Sequence, residues 1–242
     1  MNRNIWLKSD FEKPCPNCET GHLSYSTKQT NISETLESQI ANEFHKNGIV
    51  HPTTTFLVTT HFKCKNCGFI VTAIFEKVED VRYVDENGYQ IDIWNPVVYH
   101  PALKIIPMPK NAPKEIESMI TGSFGLFWYD INSCGNKIRA ALELLMDHVG
   151  IPKTDGKGKS MTLHHRLREY AVQNSAKPEI GQYLEAIKWI GNAASHGGSV
   201  KKNDILDAYE LLEAIMEHVF SERKNKLIAI SNRINSTKGR SI

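Results

Sequence analysis

The chain has 242 residues, of which 40% are hydrophobic and 23% are charged, and its formal net charge is +2. This composition is that of an ordinary globular protein, and the length is enough for one large or two small domains. There is no run of about 18 apolar residues and no N-terminal apolar run typical of a signal peptide, so we expect a cytoplasmic protein with no membrane partner.

Four of the five cysteines form two C-x-x-C pairs near the N-terminus. The pairs read Cys15-Pro16-Asn17-Cys18 and Cys64-Lys65-Asn66-Cys67. Two such turns offer four thiolates to one tetrahedral Zn²⁺, and this pattern favours a metal over a disulfide scaffold. Because four sulfur ligands leave no open coordination position, we expect a structural zinc rather than a catalytic one.

The spacing between the two pairs is wider than in a simple zinc ribbon. Residues 19–63 separate the pairs by 45 positions, whereas a plain ribbon has roughly 15–20. An inserted helix accounts for this, because Asn31 and Glu34 resemble a capping box and apolar residues follow at helical spacing over 32–46. Three histidines are alternative ligands, although isolated histidines are more often surface residues: His22, His51 and His61.

Residues rich in β-branched and aromatic side chains follow the insertion and predict an antiparallel sheet. An Asn-Gly pair at 87–88 is a strong hairpin-turn signal. The fold class predicted for the chain is therefore α+β, with a zinc-ribbon-like sheet first and an all-α bundle after it. The predicted strands are 55–63, 68–76 and 89–94.

Three prolines in the stretch IPMPKNAP exclude a helix interior or a central strand and predict a linker. Beyond it, apolar residues recur at helical spacing and predict a bundle of about five helices. The predicted domains are a zinc-ribbon-like domain at 1–106, a linker at 107–113, a helical bundle at 114–222 and a basic tail at 223–242.

Four segments of the bundle, KIRAALELLMDHVGI, LHHRLREY, EAIKWIGNAASHGG and DILDAYELLEAIMEHVF, resemble domain-of-unknown-function family 4145. That family is commonly grouped with the HEPN helical bundles, and the GNAASH block is the most specific part of the resemblance. The resemblance implies a homodimer and, in active members, RNA cleavage without a metal by an R-polar-x-x-x-H motif.

The resemblance assigns Asn192 to the polar position and His196 to the histidine of this motif, while Gly191 occupies the arginine position. A histidine can transfer the proton of a ribose 2′-hydroxyl, and a fixed cation stabilises the charged transition state. Lys188, on the same predicted helix face, and Arg139 are the candidates for that cation. The alternative is that His196 and the glycines after it mark the end of a helix.

Several further residues have a functional and a structural interpretation. Cys134 is a candidate activated thiol but is more simply a buried residue. The stripe of Phe124, Phe127, Trp128 and Ile131 predicts a core or a dimer seam. A basic cluster is most simply a solvated helix face, and it comprises His164, His165, Arg166 and Arg168.

The six basic residues of the tail, with no acidic residue among them, suit contacts with phosphates or an acidic partner. A solvated, partly disordered end is the alternative for this segment. Together these patterns predict a zinc-stabilised protein that binds RNA, another nucleic acid or a protein. The family resemblance implies that it dimerises and that it is linked to phage defence or its regulation. The alternative function is a metal-independent ribonuclease that uses His196.

Overall fold

The computed structural model describes residues 13–18, 20–45, 53–82, 89–196, 198, 200–220 and 222–238. The described residues form an antiparallel sheet followed by a helical region, which confirms the predicted α+β class. The chain divides into two compact units, one made of 1–105 with 121–134 and the other of 106–120 with 135–242. The predicted linker, 107–113, lies directly after the first boundary of this division.

In the part of the chain that the structure describes, five strands form one sheet in the order β1-β2-β3-β4-β5, and every neighbouring pair is antiparallel. Their bounds are Lys13–Pro14, His22–Glu34, Thr54–Cys64, Ile70–Arg82 and Tyr89–His100. The last three correspond to the predicted strands: β3 and β5 contain and extend them, whereas β4 begins two residues later than predicted and continues to Arg82. Strands β4 and β5 pair up to Arg82 opposite Tyr89, and the predicted Asn-Gly turn lies outside the described residues.

Strand β2 has no counterpart among the predicted strands. Its sequence, HLSYSTKQTNISE, is mostly polar, and no apolar alternation marks it as a strand. The long pairing partner β3 supplies the apolar side chains instead, with Val58 and Phe62 fully buried. Pairing with β3 thus compensates for the weak pattern of β2.

The first helix of the described residues, α1, begins later than predicted and spans Leu36–His45. The predicted capping pair, Asn31 and Glu34, belongs to β2, so that prediction is wrong. The cap is Thr35, whose hydroxyl accepts the Ser38 amide at 3.3 Å. The Glu34 carboxylate instead accepts the Ser38 hydroxyl at 2.8 Å. Helix α1 still lies within the 19–63 insertion, as predicted.

An aromatic cluster forms the core of the first unit. Phe62, Phe75 and Tyr99 lie on one face of the sheet with ring centroids 5.8–6.1 Å apart. Trp128 packs on Tyr99 with the centroids 5.0 Å apart. Phe124 and Phe127 are also fully buried, while Ile131 is half-buried. This part of the predicted stripe is therefore core.

Among the described residues after the sheet there are six helices, numbered α2 to α7, at Lys114–Tyr129, Ile131–His148, Leu163–Gln173, Pro178–Ser195, Lys202–Phe220 and Glu222–Thr237. The first five correspond to the predicted bundle. Each of α3, α5 and α6 presents a buried apolar stripe, as the spacing predicts. Nowhere in the described ranges is a helix both long enough and apolar enough to cross a membrane.

The basic tail forms a helix, α7, which differs from the alternative interpretation of this segment as a partly disordered end. The segment is helical to Thr237, although every described side chain from Lys226 to Lys238 is exposed or half-buried. The sequence does not predict this helix because its apolar residues are few. Helix α7 therefore presents Lys226 and Arg233 on a helical surface, and the exposed Lys238 follows directly after it.

Candidate functional site

The sheet topology brings the two cysteine pairs together. The first pair lies in the turn between β1 and β2, and the second in the turn between β3 and β4. Leu23, at the start of β2, pairs with Cys64 at the end of β3. Because β2 leads away from the site and β3 returns to it, the 45-residue separation becomes a short distance in space. The inserted segment is this excursion, with α1 between its two strands.

The four sulfur atoms of Cys15, Cys18, Cys64 and Cys67 all lie within 4.8 Å of one another. Two Sγ–Sγ distances are short, 3.6 Å from Cys15 to Cys67 and 3.7 Å from Cys18 to Cys64. A tetrahedral zinc with Zn–S bonds of about 2.3 Å requires sulfurs about 3.8 Å apart. All four cysteines are free thiols. The predicted residues thus form a cluster that can hold one metal ion.

Backbone amides in both turns are directed at the sulfurs. The amide of Asn17 donates to Cys15 Sγ at 3.4 Å, and that of Asn66 donates to Cys64 Sγ at 3.3 Å. Such bonds reduce the negative charge on a thiolate and fix its direction. The two turns therefore present their sulfurs in the same way.

The asparagine side chains connect the turns, which sequence reasoning missed. Asn17 Nδ2 donates to Cys67 Sγ at 3.6 Å, and Asn66 Nδ2 donates to Cys18 Sγ at 3.8 Å. Asn66 Nδ2 also donates to the Thr20 hydroxyl at 3.1 Å. Each asparagine occupies the third position of its C-x-x-C turn, and this shared position is the signal that could have identified them.

Gly21 lies where the two cysteine turns approach each other too closely for a side chain at this position. A Cβ atom at this position would lie 2.5 Å from Cys64 Sγ, 2.8 Å from Asn66 Cβ and 3.1 Å from Cys18 Sγ. Any larger residue would displace one turn from the other. The glycine therefore permits the contact that places both pairs around one ion.

The thiols differ in acidity. Burial raises the pKa of Cys15 to about 11, and the neighbouring Cys64 and Cys67 thiols act in the same direction. Burial also acts to raise the pKa of Cys18, but hydrogen bonds from the Gly21 amide and the other thiols lower it to about 6. A backbone bond from Phe69 and the Asn17 side chain lower the pKa of Cys67. A metal must therefore displace bound protons from the cluster.

The alternative histidine ligands lie elsewhere or outside the described residues. His61 Nδ1 lies 2.9 Å from the Thr72 hydroxyl on the exposed face of the sheet. His22 is exposed, and His51 lies outside the described residues. The fifth cysteine, Cys134, is fully buried and its thiol donates to the Ser123 carbonyl at 3.3 Å. Its interpretation as a buried residue is confirmed.

His196 lies at the end of α5. It is the C-cap residue, its side chain is exposed, and the Gly198 amide donates to the Ala193 carbonyl at 2.9 Å. Of the two backbone hydrogen bonds that close a Schellman motif, this is the one that spans more residues. The interpretation of this sequence as a helix end is therefore confirmed.

The candidate cations make contacts of their own. Lys188 is buried, and its Nζ lies 3.0 Å from His164 Nδ1 and 3.3 Å from a Glu185 carboxylate oxygen. The ammonium also lies over the Trp189 ring, 3.8 Å from its centroid. Across the described ranges, no hydrogen bond or ion pair joins Lys188 or Arg139 to Asn192 or His196. The polar stripe of the sequence does not form a bonded constellation.

Arg139 lies against the glycine at the expected arginine position. A Cβ at Gly191 would come within 2.6 Å of Arg139 Cβ and 3.0 Å of its Cδ. The glycine therefore lets the aliphatic part of the arginine side chain lie against α5 at this point. The guanidinium Nη2 lies 3.5 Å from Glu143.

The interpretation of the basic cluster as a solvated face is wrong for Arg166. This side chain is only 6% exposed, and its Nη2 donates to Asp147 at 2.6 Å and to the Ile151 carbonyl at 2.8 Å. Asp147 also pairs with Lys153 at 3.0 Å. The partner lies 19 residues away in sequence, so periodicity on α4 alone does not reveal it.

Comparison with known proteins supports the family expected from the helical segments. Residues 123–237 match the model of the family described as Domain of unknown function (DUF4145). The predicted resemblance is confirmed over these residues. No curated protein and no solved structure matches the chain. The relation to HEPN bundles stays a prediction.

The DUF4145 match includes α3 to α7, and therefore the Gly191 contact and the end of α5. It continues to Thr237, the last residue of α7, whereas the sequence resemblance ended at residue 222. The four metal-site cysteines lie before the matched region. The metal cluster is thus an addition to the DUF4145 region of this chain.

Proposed function

We propose that this chain is a zinc-stabilised protein that binds nucleic acid through α7. The zinc assignment is supported by four sulfurs at tetrahedral spacing, since tetrahedral sulfur sites hold zinc or iron. Metal analysis of the purified protein tests this part. One zinc per chain is the expected result, whereas iron, or well under one equivalent of any metal, contradicts it.

The nucleic-acid assignment rests on the exposed basic side chains of α7 and of Lys238, which follows its last residue. Lys226, Arg233 and Lys238 are exposed, and no acidic residue follows Glu222 in the sequence. Neutralisation of phosphates by such residues releases counterions and makes the affinity depend steeply on salt. The DUF4145 match also includes this helix, which supports a role for α7 in the function of the matched region.

A fluorescence-anisotropy titration with labelled single-stranded RNA tests the assignment. The variant Lys226→Gln/Arg233→Gln/Lys238→Gln should weaken binding and lower the slope of log affinity against log salt by roughly 2. The matched control, Lys157→Gln/Lys177→Gln/Lys201→Gln, removes three other exposed lysines and should bind like the wild type. Equal binding by the wild type and the α7 variant would contradict the proposal.

A homodimer is part of the proposal and follows from the family resemblance. The side chains of Val172 and Trp189 are 76% and 59% exposed on α4 and α5 and are apolar surface that a second copy could cover. Light scattering of the purified chain distinguishes dimer from monomer. A protein partner is proposed from the basic tail, and phage defence from the family resemblance. Plaque counts on expressing cells test the link to phage defence.

Metal-independent RNA cleavage is the second candidate function, and one observation favours it. The aliphatic part of the Arg139 side chain lies against Gly191, so an arginine from α3 contacts the position where the family pattern has an arginine. His196, one helical turn further on, is exposed and could transfer a proton. Lys188 is bonded elsewhere and is the weaker candidate for the cation.

Incubation with mixed RNAs in the presence of chelator separates the two functions. If the protein is a ribonuclease, the wild type cleaves the RNA, and the variants His196→Ala and Arg139→Gln both lose this cleavage. If the protein only binds nucleic acid, it binds RNA in the anisotropy titration, and neither the wild type nor either variant cleaves it. Cleavage that His196→Ala leaves unchanged would reject the proposed site.

A further inference from the structure

A groove lies between helices α4 and α5 of the helical unit, apart from the sulfur cluster. Its volume is about 440 Å³, which is in the usual range for a site that binds a small molecule. The lining residues recur every three or four positions on both helices, so the groove follows the sides on which the two helices face each other.

The two ends of this groove differ in chemistry. At one end, Lys188 Nζ lies 3.0 Å from His164 Nδ1. About two helical turns further along α4, the helices approach so closely that a Cβ at Gly181 would lie 2.8 Å from Ala171 Cβ. The wall beside this close approach is apolar and accessible, because Val172 is exposed. The groove therefore has a charged end and an apolar end.

Three side chains with formal charge line the charged end, and two of them are paired with each other. The Lys188 ammonium lies 3.3 Å from a Glu185 carboxylate oxygen. The third, Arg168, is exposed, and it forms neither an ion pair nor a hydrogen bond with the described part of the chain. The first two charges cancel, so Arg168 leaves this end with a formal charge of +1. This charge favours a ligand with a single negative charge.

His164 supplies a second accessible donor beside Arg168. An ammonium has no lone pair, so Lys188 donates to His164 Nδ1 and the imidazole proton is on Nε2. The His164 side chain is 41% exposed. His164 and Arg168 are one turn apart on α4, which puts their Cβ atoms about 5–6 Å from each other. Their N–H groups can therefore donate to the two oxygens of one carboxylate.

We propose that this groove binds a small amphiphilic carboxylate, an unbranched aliphatic chain that ends in one carboxylate group. The carboxylate accepts from the Arg168 guanidinium and from His164 Nε2–H, and the chain lies along Ala171, Val172 and Gly181. The site is independent of nucleic-acid binding by α7. Val172 also belongs to the surface that a second copy could cover, but light scattering tests the dimer without ligand, so the two proposals can fail separately.

Isothermal titration calorimetry of the zinc-loaded full chain tests the proposal with three probes. Octanoate has both parts of the ligand, acetate has the carboxylate alone, and octanol has the chain alone. We expect octanoate to bind at one site per chain, and acetate and octanol each to bind at least roughly tenfold more weakly. The absence of octanoate binding at millimolar concentration, or equal affinity for octanoate and either of the other probes, would overturn the proposal.

Two variants, each with a matched control, relate the binding to this groove. Arg168→Gln should weaken octanoate binding roughly tenfold, because a charge-assisted hydrogen bond is lost. Its control, Arg233→Gln, removes an exposed arginine of α7 and should bind octanoate like the wild type. Gln182→Glu adds a carboxylate to the groove wall and should also weaken binding. Its control, Gln173→Glu, changes an exposed glutamine of α4 that does not line the groove. Unchanged affinity in Arg168→Gln, or equal weakening in a variant and its control, contradicts the proposed site.

Discussion

At the scale of single residues, the metal cluster depends on neighbours that are not ligands. Asn17 and Asn66 each cross from one turn to a sulfur of the other, and Gly21 permits the close approach. The sequence predicts the four cysteines because C-x-x-C is a local pattern. It does not predict the crossed amide bonds, since these depend on how two distant turns face each other.

Gly21→Ala should lower the zinc affinity roughly 10- to 100-fold, the usual effect of disturbing the surroundings of metal ligands. The added Cβ would lie 2.5 Å from Cys64 Sγ, so one turn must move away. Competition with a chromophoric chelator measures the change. Gly156→Ala is the matched control, because a Cβ there meets nothing within 4 Å. The same affinity in both variants would rule out this role for Gly21.

Asn17→Ala and Asn66→Ala should each increase the rate of zinc release roughly tenfold, because the sulfur on the opposite turn loses a hydrogen-bond donor. Transfer of zinc to an excess of chelator, followed by absorbance, gives the rate. Asn203→Ala, at an exposed position in the first turn of α6, serves as the control. If all three variants release zinc at the wild-type rate, the amide bonds do not stabilise the bound ion.

At the scale of helices and strands, predictability follows the regularity of the apolar pattern. Strands β3 and β4 and helices α3, α5 and α6 bury regular stripes, and their sequences predict them. Strand β2 and helix α7 lack such stripes and were missed. The buried position of Arg166 was also missed, because it depends on Asp147 of another helix.

Asp147→Asn should lower the free energy of unfolding by roughly 2–4 kcal/mol at neutral pH, because Arg166 then stays buried without its anionic partner. The fully apolar replacement, Asp147→Leu with Arg166→Met, should cost less than the single change. Urea denaturation measures both. Equal stability of Asp147→Asn and the wild type would show that the ion pair contributes nothing.

The same ion pair predicts a pH dependence. Burial acts to raise the pKa of Asp147, but Lys153 and Arg166 outweigh it and hold this pKa below its ordinary value of 3.8. The carboxylate therefore contributes stability above about pH 4, and the contribution is lost as the pH falls through the lowered pKa. The difference between wild type and Asp147→Asn should thus be complete at neutral pH and shrink in acid.

At the scale of the whole molecule, the two compact units differ in what stabilises them. The first unit contains the sulfur cluster and the aromatic core, and it includes 121–134 as well as the sheet. The second unit consists of helices and the loops that join them. The division follows contacts rather than chain order, so sequence reasoning from the prolines could not reveal that a helical segment belongs with the sheet.

Removal of the metal should therefore loosen the first unit selectively. Zinc at a 100-fold excess over its dissociation constant stabilises the unit that binds it by about 2.7 kcal/mol. Hydrogen exchange in chelator should then accelerate in the strands and in 121–134, while α5 and α6 keep their protection. Cys64→Ser should reproduce the effect without chelator. Uniform acceleration along the chain, or none, would contradict a stabilising metal confined to this unit.

The helix α2 runs without interruption from residues of the second unit into residues of the first. A truncation at the prolines before it would retain all four sulfurs, yet it would remove Trp128 from the ring of Tyr99. The shortened protein would then expose aromatic surface and tend to aggregate even when loaded with zinc. A soluble fragment of this protein is better obtained by retaining the chain through Cys134 than by ending it at the prolines before α2.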